Sequence, residues 1–221
     1  LNMKVLVIGS GGREHAIVEA IARSPKATKI YAAPGNAGIA QLAECVAIKD
    51  TDVESLLAFA KEQSIDLTVV GPEASLAVGV VDAFREAGLK IFGPTKAATE
   101  IESSKDFAKR LMKKYDVPTA DYATFSDYDE ALAYVRNGSL PTVLKYDGLA
   151  AGKGVLIIND LKEAQESLET MLDGQFGDAS AKVVIEEFLS GIECSFFVLT
   201  DGRDYVLLPE AKDYMRIGEH D

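Results

Sequence analysis

In residues 1–94, short apolar runs rich in β-branched residues alternate with stretches of helical periodicity. The first run is Lys4–Ile8, and the helical stretch Arg13–Arg23 follows it directly. The same alternation recurs until Phe92. Strands joined by helices at this spacing run parallel in one sheet, because each helix returns the chain to the same edge. The sequence therefore predicts an α/β fold whose N-terminal part is a doubly wound parallel sheet.

Local signals set the expected bounds of these elements. Thr51 and Glu54 form a capping-box pattern ahead of a helix that runs to about Gln63. Gly88 stands where the C′ residue of a helix over 74–87 would lie. The remaining strands are expected at 29–33, 45–48, 67–70 and 90–92.

The pattern changes after Pro94, and it predicts three further segments. Residues 95–118 contain one connecting helix, from about Ser104 to Tyr115. Residues 119–182 read as a small α+β unit with strands at 120–125, 142–146 and 155–158 and helices at 129–136 and 161–172. Residues 183–221 are expected to begin a larger unit that this chain leaves incomplete, with strands at 183–188 and 194–200 and a turn at Asp201–Gly202.

Charge and composition limit the partners. The chain has 221 residues, a hydrophobic fraction of 48% and a formal net charge of −12, so a basic face for nucleic acid or an anionic membrane is not expected. No apolar run approaches the length of a membrane span of about 20 residues. The two cysteines, Cys45 and Cys194, are expected to be reduced in a cytoplasmic protein that acts on small molecules. The oligomeric state is left open.

A glycine loop, Gly9–His15, joins the first strand to the first helix. It resembles the dinucleotide fingerprint, but Glu14 stands at the place of its third glycine and no acidic residue follows the second strand at Ala33. A helix N-terminus with a guanidinium at Arg13 favours a single phosphate instead. The alternative is a tight turn with a solvated arginine. Polar loops also follow the second and fourth strands, at 34–38 and 71–73, and together these loops predict a small polar ligand at this edge.

A second glycine-rich segment lies between Lys145 and Val155. It is not a P-loop, because Gly148 and Gly152 are too close together, Gly154 follows Lys153, and a strand follows instead of a helix. Two lysines on a glycine hairpin fit a segment that folds over phosphates. Further on, the strand that contains Glu186 and Glu187 and the later Glu193 could read an adenine edge and two ribose hydroxyls; solvated carboxylates are the alternative.

Taken together, the motifs resemble those of the phosphoribosylamine–glycine ligases (glycinamide ribonucleotide synthetases), ATP-grasp enzymes of purine biosynthesis. The resemblance is carried by "VIGSGGREHA", "APGNAG", "VGPEASLAVGVVDAF", "GLKIFGPTKAA", "SKDFAK", "DGLAAGKGV" and "VIEEFLSG", in that order. It implies a Rossmann-like pre-ATP-grasp domain followed by an ATP-grasp lobe. It also implies ATP-dependent ligation of glycine to 5-phosphoribosylamine through a glycyl phosphate.

The resemblance implies roles for individual residues. The ATP site would consist of Lys105, Lys145, Gly152, Lys153, Gly154, Glu186, Glu187, Phe188, Leu189 and Glu193. The phosphoribosylamine site would consist of Gly11, Gly12, Arg13, Glu14, Asn36, Gly71, Pro72, Glu73, Asp213 and Arg216. No catalytic residue is assigned. Magnesium is implied as a cofactor, with its ligands expected beyond Asp221.

The chain departs from the family in several places. Members of the family are much longer, so this chain is expected to be a fragment that is inactive by itself. Tyr146, Lys212 and Met215 replace the residues usual at their positions. A non-catalytic nucleotide-binding paralogue is therefore the alternative to a ligase.

Overall fold

The computed structural model describes residues 2–148, 154–172 and 181–214. Its first part is a five-stranded sheet in the order β3-β2-β1-β4-β5, and all neighbouring strands are parallel. This confirms the predicted parallel sheet. In chain order, β1 to β5 are Met3–Gly9, Ala27–Pro34, Glu44–Cys45, Leu67–Val70 and Ile91–Phe92.

Helices cover both faces of this sheet. Alternation along β1 sends Leu6 and Ile8 into one core with Leu56 and Phe84. Val5 and Val7 pack on the opposite face, against Val18 and Ile39. A central strand that is buried on both faces explains why β1 is a continuous apolar run. In chain order, α1 to α4 are Gly12–Ala22, Val53–Glu62, Glu73–Ala77 and Val80–Glu86, and a short 3₁₀ helix spans Ile39–Gln41.

Three predicted bounds in this part are wrong. The helix expected over 74–87 is two helices, because Gly79 between them adopts a left-handed φ of 88°. The residue that caps α2 is Asp52, whose carboxylate accepts from the Ser55 N–H at 3.1 Å, and not Thr51. The strand expected at 45–48 is only the two residues of β3. The predicted C′ position of Gly88 is confirmed, with a φ of 74° directly after the C-cap of α4.

Two helices connect this sheet to the next, where the sequence predicts one. They are α5, Lys96–Ser103, and α6, Lys105–Lys114. Ser104 lies between them and caps α6, since its Oγ accepts from the Phe107 N–H at 3.1 Å. The direction of the chain therefore changes at this one residue.

The second sheet has four antiparallel strands in the order β6-β9-β7-β8. The strands are Tyr122–Phe125, Thr142–Tyr146, Val155–Ile158 and Val183–Glu187, and the helices α7 and α8 are Tyr128–Asn137 and Leu161–Leu172. This confirms the α+β unit. The strand β9 lies between β6 and β7, so the prediction that residue 183 begins a separate unit is wrong.

The two helices cover only one face of this sheet. Leu144 and Ile185 point to that face and pack with Leu168 of α8. Because side chains alternate along a strand, Lys145 and Glu186 point to the opposite face. We call this opposite face the open face; α6 covers part of it.

The last described part, 189–214, consists of short strands. They are β10 to β13, Cys194–Ser195, Val198–Thr200, Tyr205–Leu207 and Ala211–Lys212, paired as β10-β13 and β11-β12. The single strand expected at 194–200 is therefore two, and the predicted turn at Asp201–Gly202 joins β11 to β12. In the described part of the chain, no helix has the length and apolar character needed to cross a bilayer.

Candidate functional site

Three loops meet at the carboxyl edge of the parallel sheet, as predicted. The Gly35 N–H donates to the Gly9 carbonyl at 3.0 Å, and the Asn36 side-chain amide donates to the Ser10 carbonyl at 2.8 Å. The loop after β4 joins them, because Arg13 Nη1 donates to Glu73 Oε1 at 2.9 Å. The predicted residues Gly11, Gly12, Arg13, Glu14, Asn36, Gly71, Pro72 and Glu73 thus share one crevice.

Glu14 fills the first glycine loop. Its side chain is buried, and its Oε2 accepts from the Gly11 N–H at 2.7 Å. A Cβ at Gly9 or Gly71 would overlap with this side chain, so the glycines make room for a carboxylate. The Gly11 N–H at the start of α1 is therefore already bound by a side chain of the loop itself.

Arg13 links two carboxylates. Its Nε donates to Glu14 Oε1 at 2.9 Å, in addition to its bond with Glu73. The hydrogen bond to Glu73, followed by the one to Glu14, raises the pKa of Arg13. The same guanidinium lowers the pKa of Glu73. One cation and two anions leave a net charge of −1. Two of the five N–H groups of Arg13 are used, so the others can donate to a phosphate, which would then lie close to two carboxylates.

On the open face of the second sheet, Lys145 and Glu186 form an ion pair with 2.8 Å between Lys145 Nζ and Glu186 Oε2. Lys109 of α6 approaches the other oxygen, Glu186 Oε1, at 3.3 Å. The sequence analysis missed Lys109. Its spacing of four residues from Lys105 on one helix was a usable signal, because such residues share a face.

The N-terminus of α6 contacts the base of the second glycine segment. Lys105 Nζ donates to the Gly148 carbonyl at 3.0 Å. Asp147 accepts from Ser104 Oγ and from the Asp106 N–H, both at 3.2 Å. Burial lowers the pKa of Lys105, and the nearby Lys145 also lowers it, while the carboxylates of Asp147 and Glu186 act in the opposite sense. Two predicted phosphate ligands, Lys105 and Lys145, therefore lie close together.

The rest of the hairpin is described in part. The Tyr146 N–H donates to the Gly154 carbonyl at 2.7 Å, which pairs the two ends of the segment. Gly152 and Lys153 lie outside the described residues. Tyr146 itself is buried and lies on the face opposite to Lys145, and its ring lies next to Gly148 at the base of the segment.

The predicted adenine segment follows β9. The Glu187 N–H donates to the Asp121 carbonyl at 2.9 Å, so this N–H is used within the protein. Phe188 is half-buried and Leu189 is exposed. A cavity of about 440 Å³ borders Glu187 and Phe188, but Tyr134 and Leu140 also line it. Glu186 lines the cavity too, whereas Lys105 and Lys145 do not.

The last predicted residues lie in the strand pairs near the end of the chain. The Asp213 N–H donates to the Glu193 carbonyl at 3.0 Å, so these two residues are adjacent. Lys212 Nζ lies 4.9 Å from the centre of the Tyr214 ring. Arg216 and Met215 lie outside the described residues. Within residues 2–148, 154–172 and 181–214, no group of three or more His, Cys, Asp or Glu side chains could hold a metal ion.

Two family models match this chain. Phosphoribosylglycinamide synthetase, N domain, matches residues 3–102, and phosphoribosylglycinamide synthetase, ATP-grasp (A) domain, matches residues 103–221.

Individual relatives agree with these matches. A phosphoribosylamine–glycine ligase of Pasteurella multocida is 53% identical over 99% of this chain and 52% of its own length. The corresponding ligase of Haemophilus influenzae is 50% identical over the same shares. The crystal structure of a phosphoribosylamine–glycine ligase from Thermotoga maritima has a TM-score of 0.79 at 33% identity, over 96% of this chain and 51% of that one. The chain thus spans about half the length of the curated relatives it matches.

Proposed function

This chain belongs to the phosphoribosylglycinamide synthetase family, and from that premise we propose that it supplies the ATP-binding lysines and the sugar-phosphate crevice of a ligase. The ligase joins glycine to 5-phosphoribosylamine with consumption of ATP. The observation that carries the proposal is the pair of lysines, Lys105 and Lys145, at the base of a glycine segment on the open face.

The proposed reaction has two steps. A carboxylate oxygen of glycine attacks the γ-phosphorus of ATP, which forms glycyl phosphate and releases ADP. The amine of 5-phosphoribosylamine then attacks the acyl carbon, loses a proton and displaces inorganic phosphate, which leaves glycinamide ribonucleotide. Both steps depend on positioning and on neutralising phosphate charge.

The open face supports the ATP part of this proposal. Lys105 and Lys145 bind the phosphates, and Gly152, Lys153 and Gly154 are part of the same proposed phosphate site. Glu186, Glu187, Phe188 and Leu189 line the adenine position, and Glu193 holds the ribose. Lys105 is held by the Gly148 carbonyl and Lys145 by Glu186, so neither cation has to be ordered when the nucleotide arrives.

The crevice of the parallel sheet supports the sugar-phosphate part. Its residues Gly11, Gly12, Arg13, Asn36 and Glu73 come from three loops at the carboxyl ends of strands, where open α/β sheets bind their ligands. Asp213 and Arg216 belong to the same proposed site. Glu73 can accept a hydrogen bond from a hydroxyl or an amine, and the remaining N–H groups of Arg13 can donate to an anion.

Magnesium and the cellular location are parts of the proposal as well. We propose magnesium as a cofactor because the family resemblance implies it, with ligands expected beyond Asp221. A cytoplasmic location is supported by two free cysteines, Cys45 and Cys194, which are typical of a reducing compartment.

Complementation tests the function. The whole open reading frame that contains the sequence of this chain should restore growth without purines to a bacterium that lacks its own phosphoribosylamine–glycine ligase. Lys145→Met should abolish growth, whereas Lys162→Met, the same change at an exposed position of α8, should not. A stable protein that binds ATP but never restores growth would contradict the ligase and support a non-catalytic nucleotide-binding paralogue.

A further inference from the structure

Glu186 is a buried carboxylate between two ammonium groups. It is 6% exposed, and its two oxygens are divided between Lys109 and Lys145. A carboxylate removed from water is costly unless it is paired and hydrogen-bonded. Both lysines therefore compensate one buried negative charge.

The two lysines differ in how firmly they are held. Lys109 donates to Thr119 Oγ1 at 2.8 Å and to the Ala120 carbonyl at 3.1 Å, and it pairs with Glu186 Oε1 at 3.3 Å. An ammonium group has three donors, so all three are used. Its side chain is 7% exposed, whereas that of Lys145 is 29% exposed on the open face. Lys109 is fixed, and Lys145 is the cation that an incoming ligand can reach.

We infer that Lys109 is a positioning residue that acts through Glu186. It neutralises the carboxylate, so that Lys145 can turn towards an anionic ligand on the open face without leaving a buried charge unpaired. This inference rests on the proposed ATP-binding function. Two ammonium groups and one carboxylate sum to +1, and because Lys109 cannot turn, Lys145 presents the surplus charge. Without Lys109, Lys145 would be the remaining lysine within ion-pair distance of Glu186 among the described residues.

Inorganic tripolyphosphate is the probe, because it reports on the phosphate contacts without the adenine contacts. Calorimetric titration should show binding about tenfold weaker for Lys109→Met than for the wild type, the effect of one charge-assisted hydrogen bond. The double variant Lys109→Met/Glu186→Gln should recover most of the affinity, since no carboxylate then competes for Lys145. Lys113→Met removes the same charge from an exposed position one turn later on α6 and should bind as the wild type does.

Each outcome decides the matter. Wild-type affinity in Lys109→Met overturns the inference, and so does a double variant that stays as weak as the single one. If circular dichroism shows that Lys109→Met does not fold, Glu186→Gln alone serves: tighter tripolyphosphate binding supports the inference and unchanged or weaker binding overturns it. A wild type that binds neither ATP nor tripolyphosphate contradicts the proposed function itself.

Discussion

Arg13 donates to Glu73 and Glu14 at the mouth of the sugar-phosphate crevice, and both bonds raise its pKa. If this guanidinium reads the 5′-phosphate, Arg13→Ala should weaken binding of ribose 5-phosphate about ten- to a hundredfold, the range for a hydrogen bond to a charged group. Glu73→Gln should strengthen it, because one competing carboxylate is removed. Ligand-observed NMR titration measures both effects.

The control variant for Arg13→Ala is at the other end of α1. Arg23 follows the last residue of α1 and its side chain is 74% exposed, so Arg23→Ala should leave the affinity unchanged. Equal affinity in Arg13→Ala and the wild type would place the phosphate elsewhere. Binding of NAD in place of ribose 5-phosphate would contradict the substrate assignment altogether.

Lys105 carries a proton less firmly than an exposed lysine does. Burial lowers its pKa, so at alkaline pH part of the free protein has a neutral Lys105. Bound phosphates favour the charged form, and we therefore expect proton uptake when ATP binds at alkaline pH. Calorimetry in two buffers of different ionisation enthalpy measures this uptake, which Lys105→Met should abolish. Equal apparent enthalpies of the wild-type protein in both buffers would contradict the prediction.

At the scale of single residues, the sequence indicates which side chains are candidate ligands better than it indicates which side chains contact each other. Lys145 and Arg13 were singled out because glycines and strand ends surround them, and Lys105 because "SKDFAK" resembles a motif of the family. Lys109 was missed because its partner, Glu186, lies on a strand 77 positions later (186 − 109), and nothing local marks that contact. Glu14 was read as a missing glycine, since burial of its side chain in the loop depends on the glycines at positions 9 and 71 together.

At the scale of elements, Ser104 joins the connecting helices to the second sheet. It caps α6 and also donates to Asp147, whereas Thr95 caps α5 by accepting from the Ala98 N–H. Loss of an N-cap costs about 1 kcal/mol. We expect Thr95→Ala to lower the free energy of unfolding by about that amount, and Ser104→Ala by about 1 kcal/mol more, because Asp147 loses a partner. Urea denaturation measures both; equal losses would mean that the contact with Asp147 adds nothing.

The periodicity of apolar residues predicts that most helices and strands exist. It does not predict where one element is split into two or which sheet a strand joins. The expected helix over 74–87 is broken by the left-handed Gly79, and a glycine inside a helical pattern is compatible with either outcome. The strand β9 was assigned to the wrong unit because its pairing with β6 and β7 spans long sequence separations. Strand order is a property of tertiary packing, which apolar alternation alone does not encode.

At the scale of the whole molecule, residues 189–214 expose many large apolar side chains. Ile192 is 79% exposed and Leu207 is 69% exposed. Exposed apolar surface of this extent binds hydrophobic dyes and promotes association. The 221-residue chain should therefore enhance the fluorescence of anilinonaphthalene sulfonate, and Ile192→Ser/Leu207→Ser should lower that enhancement.

A matched variant tests where the dye binds. Phe92→Ser removes an apolar side chain that is 52% exposed on the first sheet, and it should change the fluorescence less. An equal decrease in both variants would show that the dye does not distinguish the last segment from the rest of the surface.

In the first glycine loop, the Glu14 carboxylate accepts from the Gly11 N–H, so it competes with any anionic ligand for that donor. Any small anion that approaches the Gly11 N–H competes with a group fixed only three residues away, at a high effective concentration that no change in the cell can dilute. Free inorganic phosphate has few contacts with which to win that competition. If the proposed sugar phosphate binds here, its ribose supplies further contacts, and the loop would then favour it over free phosphate. In that case, the selectivity at this edge of the sheet comes from Glu14, a side chain of the protein itself.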